Sequence, residues 1–165
     1  MAPRRMTKLY LIRHGEAVDG NRELPDGSRW LTVRGREETV TAAKQLHKHP
    51  PGTIVTSPLV RAVQTAEIVA TQLHHEGELT VLGALATGDL SAIERYLEGW
   101  KGEGPLALVG HEPTLSQVVV ALLGPMHWPG IEKSAVVALH RKEGHWRYDW
   151  MFVPRTETRV DRLPG

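Results

Sequence analysis

Three short apolar runs, Leu9 to Ile12, Ile54-Val55 and Leu106 to Val109, each break off abruptly into a polar ending followed by a helical pattern. This alternation constrains the fold more than any other feature of the chain. Runs of this length bounded by turn residues suit strands buried on both faces, and buried strands separated by helices form a largely parallel sheet. Strands of such a sheet deliver their C-terminal ends to one edge, the edge at which open α/β folds bind ligands. The three endings are Arg13-His14-Gly15, Ser57-Pro58 with Arg61 shortly after, and Gly110-His111-Glu112-Pro113. Two arginines and two histidines are therefore expected to converge where helix N-termini also point. Helix N-termini favour anions, and guanidinium forks match phosphate oxygens in pairs. The pattern reads as a phosphoryl site.

The remaining pattern completes an α/β sandwich. Lys8 to Ile12 is the first strand, and Gly20 to Trp30 is a Gly-, Pro- and Asp-rich loop. Thr32 caps a helix running to about His47, and Pro50-Pro51-Gly52 ends it. Thr53 to Thr56 is a second strand. Ser57 is read as the cap of a helix carrying Leu59, Val63, Ala66, Ala70 and Leu73 on one face. Leu79 to Leu82 is a third strand, and Ala84 to Ser91 a loop. Asp89 or Ser91 caps a helix whose inner face carries Ile93, Leu97 and Trp100. Pro113 opens a helix with Leu115, Val118, Val119, Leu122 and Leu123 as its stripe. Ala135 to Leu139 and Trp146 to Phe152 form a closing hairpin across Lys142-Glu143-Gly144. In the last strand Trp146, Tyr148, Trp150 and Phe152 alternate with Arg147, Asp149 and Met151, which predicts one buried face close to a sheet edge. The expectation is a three-layer α/β/α sandwich, mostly parallel, with an antiparallel strand from the C-terminal hairpin. It forms one domain over residues 1–165, with 1–6 and 154–165 as tails.

Composition narrows the function. Net charge is +1, with 20 Lys and Arg against 19 Asp and Glu, so no broad basic field invites nucleic acid. The cations of the site are local. The chain has no cysteine, which excludes a thiolate nucleophile and Cys-based zinc. The basic N-terminus leads into an apolar run too short for a signal peptide or membrane span, so the expected location is cytoplasmic. His47, His49, His74, His75, His127, His140 and His145 lack ligand spacing and are read as surface residues, and no metal site is expected.

The set Arg13-His14-Gly15-Glu16, Leu31-Thr32 with Gly35, Ser57-Pro58 with Arg61 and Thr65-Ala66, and Gly110-His111 resembles the histidine phosphatase (phosphoglycerate-mutase-like) superfamily. The short length is most similar to its SixA-type phosphohistidine phosphatases, and the resemblance runs from about Lys8 to Phe152. It implies a covalent mechanism in which His14 is the nucleophile, Arg13, Arg61 and His111 hold the phosphoryl oxygens, and no metal or cofactor takes part. Gly15, Glu16, Ser57 and Asn21 are the candidate substrate-binding residues. Many superfamily members carry a glutamate after the third strand as proton donor. Here Leu82 to Thr87 holds no carboxylate.

General acid catalysis contributes about 10²–10⁴-fold. An alkoxide leaving group needs that help, and an imidazole leaving a labile P–N bond needs less. The missing acid favours a histidine-phosphorylated protein as substrate. The alternatives are a small-molecule phosphomonoesterase and a catalytically weak phosphate-binding regulatory module. Glu16, Asp89 and Glu112 are the candidate replacement acids.

Overall fold

The computed structural model describes residues 6–164. Seven strands form one mixed sheet in the order β3-β2-β4-β1-β5-β6-β7. The strands are β1 Lys8–Arg13, β2 Thr53–Thr56, β3 Glu78–Val81, β4 Leu106–Gly110, β5 Val136–Lys142, β6 His145–Val153 and β7 Thr158–Val160. β1 to β4 run parallel to one another, and β5, β6 and β7 are added antiparallel. The helices are α1 Val33–Ala43, α2 Val60–Gln72, the single turn α3 Ala84–Thr87, α4 Leu90–Gly99 and α5 Thr114–Leu123.

Side chains alternate across the central strands and feed two cores. Leu9, Leu11, Leu106 and Leu108 face α3, α4 and α5 through Leu85, Ile93, Leu115 and Val119. Tyr10, Ile12, Ile54 and Val109 face α1 and α2 through Ala42, Leu46, Ala62, Ala66 and Val69. Every residue of β2 and β4 is buried, as the continuous apolar runs require. The expected sandwich is therefore present, with helices on both faces.

Three local readings need correction. Ser57 does not begin α2. Its hydroxyl accepts from the Leu59 amide, the chain bends at Pro58 and Leu59, and the helix starts at Val60 with Leu59 as its N-cap. Ala84 to Thr87, read as loop, is a helical turn closed by left-handed Gly88; of the two caps offered for α4, Asp89 is the one used, accepting from the Ala92 amide. In β6 a bulge at Asp149 shifts the register, with Ala138 opposite Trp150 and Leu139 opposite Tyr148. An extra residue moves the following side chains to the other face. Trp146 and Tyr148 consequently pack with the first core, whereas Trp150 and Phe152 lie in the second.

The segment from Pro154, expected as a tail, turns back and adds β7 against β6, which leaves the aromatic strand one position in from the edge, close to it as read. Arg155 anchors this return through Glu16 and Glu38. At the N-terminus Met6 is buried, and the rest of the expected tail lies outside the described residues. The hairpin turn falls as read: Glu143 and Gly144 both take positive φ, at 52° and 82°, as a two-residue type I′ turn requires.

The first turn of α1 presses on the chain just after His14. A Cβ at Gly35 would sit 2.2 Å from the Glu16 carbonyl oxygen. Gly35→Ala is expected to destabilise the protein by about 1–3 kcal/mol in urea unfolding, the cost of overpacking against backbone. Gly99→Ala, where nothing lies within 4 Å, is expected to be neutral or stabilising by up to about 1 kcal/mol.

Candidate active site

The parallel strands bring their three polar endings together. The His14 amide donates to the Gly110 carbonyl and the Ser57 amide to the Val109 carbonyl, which joins the ends of β1, β2 and β4. Ser134 caps the end of β1 from the other side, its amide donating to the carbonyls of Arg13 and His14. The Thr65 hydroxyl accepts from the Gly15 amide at 3.1 Å and donates to the Arg61 carbonyl at 2.8 Å. This hydroxyl ties the β1 ending to α2.

His14 and His111 stand with ring centroids 5.0 Å apart, both buried. His14 Nδ1 lies 2.8 Å from the Gly15 carbonyl oxygen. A carbonyl only accepts, so the ring proton sits on Nδ1 and the lone pair on Nε2. For His111, Nε2 lies 2.7 Å from Ser57 Oγ. That oxygen accepts from the Leu59 amide and keeps a proton and a second lone pair, so the contact suits either tautomer of His111. With the ring proton on Nδ1, Ser57 donates to Nε2 and the Nδ1–H is left buried with no hydrogen-bond partner in the protein. Arg13 Nε and Arg61 Nε share this condition. Buried donors are seldom left unpaired. Three of them, on the residues surrounding His14, form a set of donors suited to a tetrahedral oxyanion.

Arg13 is anchored through one outer nitrogen and Arg61 through both. Arg13 Nη1 donates to the Ile131 carbonyl at 2.9 Å. Arg61 Nη1 donates to the Asp26 carbonyl at 2.8 Å, and Nη2 lies 3.2 Å from the Asp26 carboxylate. Asp26 was not among the residues singled out from the sequence. Its place in a Gly- and Pro-rich loop carries no local signal, since only folding brings the loop over α2.

The other expected binding residues divide. Gly15 lies in the site, wedged so that a Cβ would meet the Gly35 carbonyl at 2.8 Å and the Ser134 hydroxyl at 2.9 Å. Ser57 acts on His111. Glu16 is held by the Thr32 hydroxyl and by Arg155. Asn21 is exposed, and its side chain accepts from the amides of Glu23 and Leu24 in an Asx turn, so the structure does not bring it to the cluster. The candidate acids are similarly occupied. Asp89 caps α4, and Glu112 accepts from the Ser116 amide and hydroxyl and the Ile131 amide. Among the described residues no group of three or more His, Asp or Glu is gathered to hold a metal ion. No described helix is long and apolar enough to cross a membrane.

Comparison with known proteins agrees with this geometry. The model of the histidine phosphatase superfamily (branch 1) matches residues 9–89. The chain belongs to the histidine phosphatase superfamily. It is similar to the solved structure of the protein histidine phosphatase SixA complexed with tungstate, with TM-score 0.80 and 26% identity over 92% of this chain and 99% of that one. An uncharacterized protein of Picosynechococcus is 35% identical over 139 residues, 80% of this chain and 84% of that protein. A 2,3-bisphosphoglycerate-dependent phosphoglycerate mutase of Protochlamydia amoebophila is 37% identical over 99 residues, which cover 58% of this chain but only 39% of the mutase. The superfamily match ends before β4, so the place of His111 beside His14 rests on the fold.

Electrostatics keep both imidazoles neutral. Burial, reinforced by His111, Arg61 and Arg13, outweighs the Gly15 carbonyl and pushes His14 down to about 3. Burial and Arg61 push His111 down to about 4. The ordinary value is 6.5, so between that pH and about 3–4 the unfolded chain binds protons that the native protein refuses. Their contribution to stability is full above pH 6.5 and is lost as pH falls through this window. Urea unfolding from pH 7 to 4 is expected to show wild type losing stability more steeply than His14→Gln/His111→Gln. The difference in slope approaches about 1.4 kcal/mol per pH unit for each histidine.

Proposed function

We propose that this protein is a phosphohistidine phosphatase that acts through a covalent intermediate on His14. The observation that carries the reading is the neutral His14 ring, its Nδ1 proton engaged by Gly15, among three buried N–H donors without protein partners. Neutral Nε2 has a lone pair to attack phosphorus. Arg13, Arg61 and His111 offer their free N–H groups to the phosphoryl oxygens and offset charge that spreads onto them in the transition state.

In the first step Nε2 of His14 bonds to phosphorus, and the bond from phosphorus to the substrate nitrogen breaks. Its electron pair returns to the substrate imidazole. An imidazole protonated on its other nitrogen leaves as a neutral ring and takes no proton from the enzyme. In the second step a water oxygen attacks phosphorus and the bond to Nε2 breaks. The lone pair returns to His14, inorganic phosphate forms and one proton passes to solvent.

The carboxylates support the substrate class. Glu16, Asp89 and Glu112 are all engaged in hydrogen bonds, and arginine and hydrogen-bonded partners hold Asp26 below the usual carboxylate range. None is poised to donate a proton. A leaving group that departs without an acid suits this site, and a phosphohistidine carries one. The SixA structure is complexed with tungstate, a tetrahedral oxyanion, which supports a phosphoryl site here.

Wild type is expected to turn over a phosphohistidine peptide at least about 10²-fold faster than an alkyl phosphate, the lower bound of a missing general acid. His14→Ala abolishes turnover and the acid-labile, base-stable phosphoenzyme, while Arg61→Ala lowers kcat by about 10²–10³-fold. Rapid alkyl phosphate hydrolysis would move the assignment to a small-molecule phosphomonoesterase. Phosphate binding without a phosphoenzyme would leave only a binding module.

A further inference from the structure

We infer that Asp26 is a positioning residue for Arg61, reached through a relay that runs from the root of the loop after β1 to the phosphoryl site. This rests on the phosphoryl-site reading of His14 and Arg61. Arg61 is buried, with its side chain 9% exposed, and would be a free rotor at its tip without partners. Asp26 meets it twice. Its backbone carbonyl accepts from Nη1 and its carboxylate Oδ2 pairs with Nη2, so the outer edge of the guanidinium is held at two points. The guanidinium is planar, and fixing that edge fixes the direction of the remaining N–H at Nε. That Nε is the buried donor without a protein partner.

Asp26 is itself held. Its Oδ1 accepts from Arg29 Nη1 at 2.9 Å, and Arg29 Nε donates to the Val18 carbonyl at 2.7 Å. Val18 lies four residues after His14, and its amide pairs with the Trp30 carbonyl at the closing end of the loop. The relay Val18–Arg29–Asp26–Arg61 thus connects the chain just beyond the nucleophile to the arginine that serves it. The 3-10 turn Asp26–Ser28 presents both the carbonyl and the carboxylate of one residue to a single guanidinium. The Asp26 carboxylate is 66% exposed, so neither burial nor core packing accounts for its placement.

Charge and position predict opposite signs, which makes the inference testable. Removing a carboxylate beside an anion site strengthens anion binding if the carboxylate only repels or competes. It weakens binding if the carboxylate aims Arg61. The test is tungstate binding by calorimetry and steady-state turnover of a phosphohistidine peptide by full-length wild type, Asp26→Ala, Asp26→Asn and Arg29→Ala.

Asp26→Ala is expected to bind tungstate about 10-fold more weakly and to lower kcat by 10- to 100-fold. Asp26→Asn, which keeps an acceptor oxygen, is expected to recover part of both. Arg29→Ala, one link further out, is expected to lose less than Asp26→Ala. Tungstate binding that is unchanged or tighter in Asp26→Ala, or a kcat within twofold of wild type, overturns the inference. If wild type turns over no phosphohistidine peptide, the substrate reading fails, and the tungstate comparison still decides the role of Asp26.

Discussion

The hydrogen bond from the Gly15 amide to the Thr65 hydroxyl holds the site in place. It spans two elements that are far apart in sequence, and the same hydroxyl donates on to the Arg61 carbonyl, so the β1 ending beside His14 and the start of α2 share one atom. The contact needs the backbone of residue 15 to come within hydrogen-bond reach of α2. Only glycine allows this, because a Cβ would strike the Gly35 carbonyl and the hydroxyls of Ser134 and Thr39. A helix N-terminus, a strand end and a β5 lead-in therefore meet at a residue without a side chain. The carbonyl of that residue sets the tautomer of His14.

The site is cationic in a nearly neutral chain because burial and topology concentrate charge. Arginines keep their charge when buried, whereas an imidazole beside them gives up its proton. The cluster therefore divides its work. Arg13 and Arg61 carry the positive charge, and His14 and His111 remain neutral. Carboxylates stay at the periphery, each engaged with an amide, a hydroxyl or an arginine.

Much of this was legible in the residues. The buried strands β1, β2 and β4 announce themselves as short apolar runs, and their polar endings are conspicuous because a buried strand has no other reason to end in arginine or histidine. His14, Arg61 and His111 were found for that reason. Asn21 misled because a polar loop residue two links from the motif looks like a ligand until its side chain is seen closing an Asx turn. The aromatic strand misled because period-two alternation assumes an unbroken pleat, and the bulge at Asp149 interrupts it. The C-terminal return was missed because a three-residue edge strand is too short to carry a hydrophobic period.

Local chemistry by itself determined the element types, the parallel core and the residue kinds at each strand end. These depend on neighbours a few positions apart, through apolar periodicity and turn geometry. Only the tertiary structure decided which atoms of those residues remain free. That Arg61 turns its outer edge to Asp26, that Ser57 serves His111 rather than α2, and that every candidate acid is already engaged all depend on contacts between distant segments. A hydrogen bond is set by angstrom-scale placement of two groups, and nothing in the order of residues encodes that placement until the chain has closed around its cores.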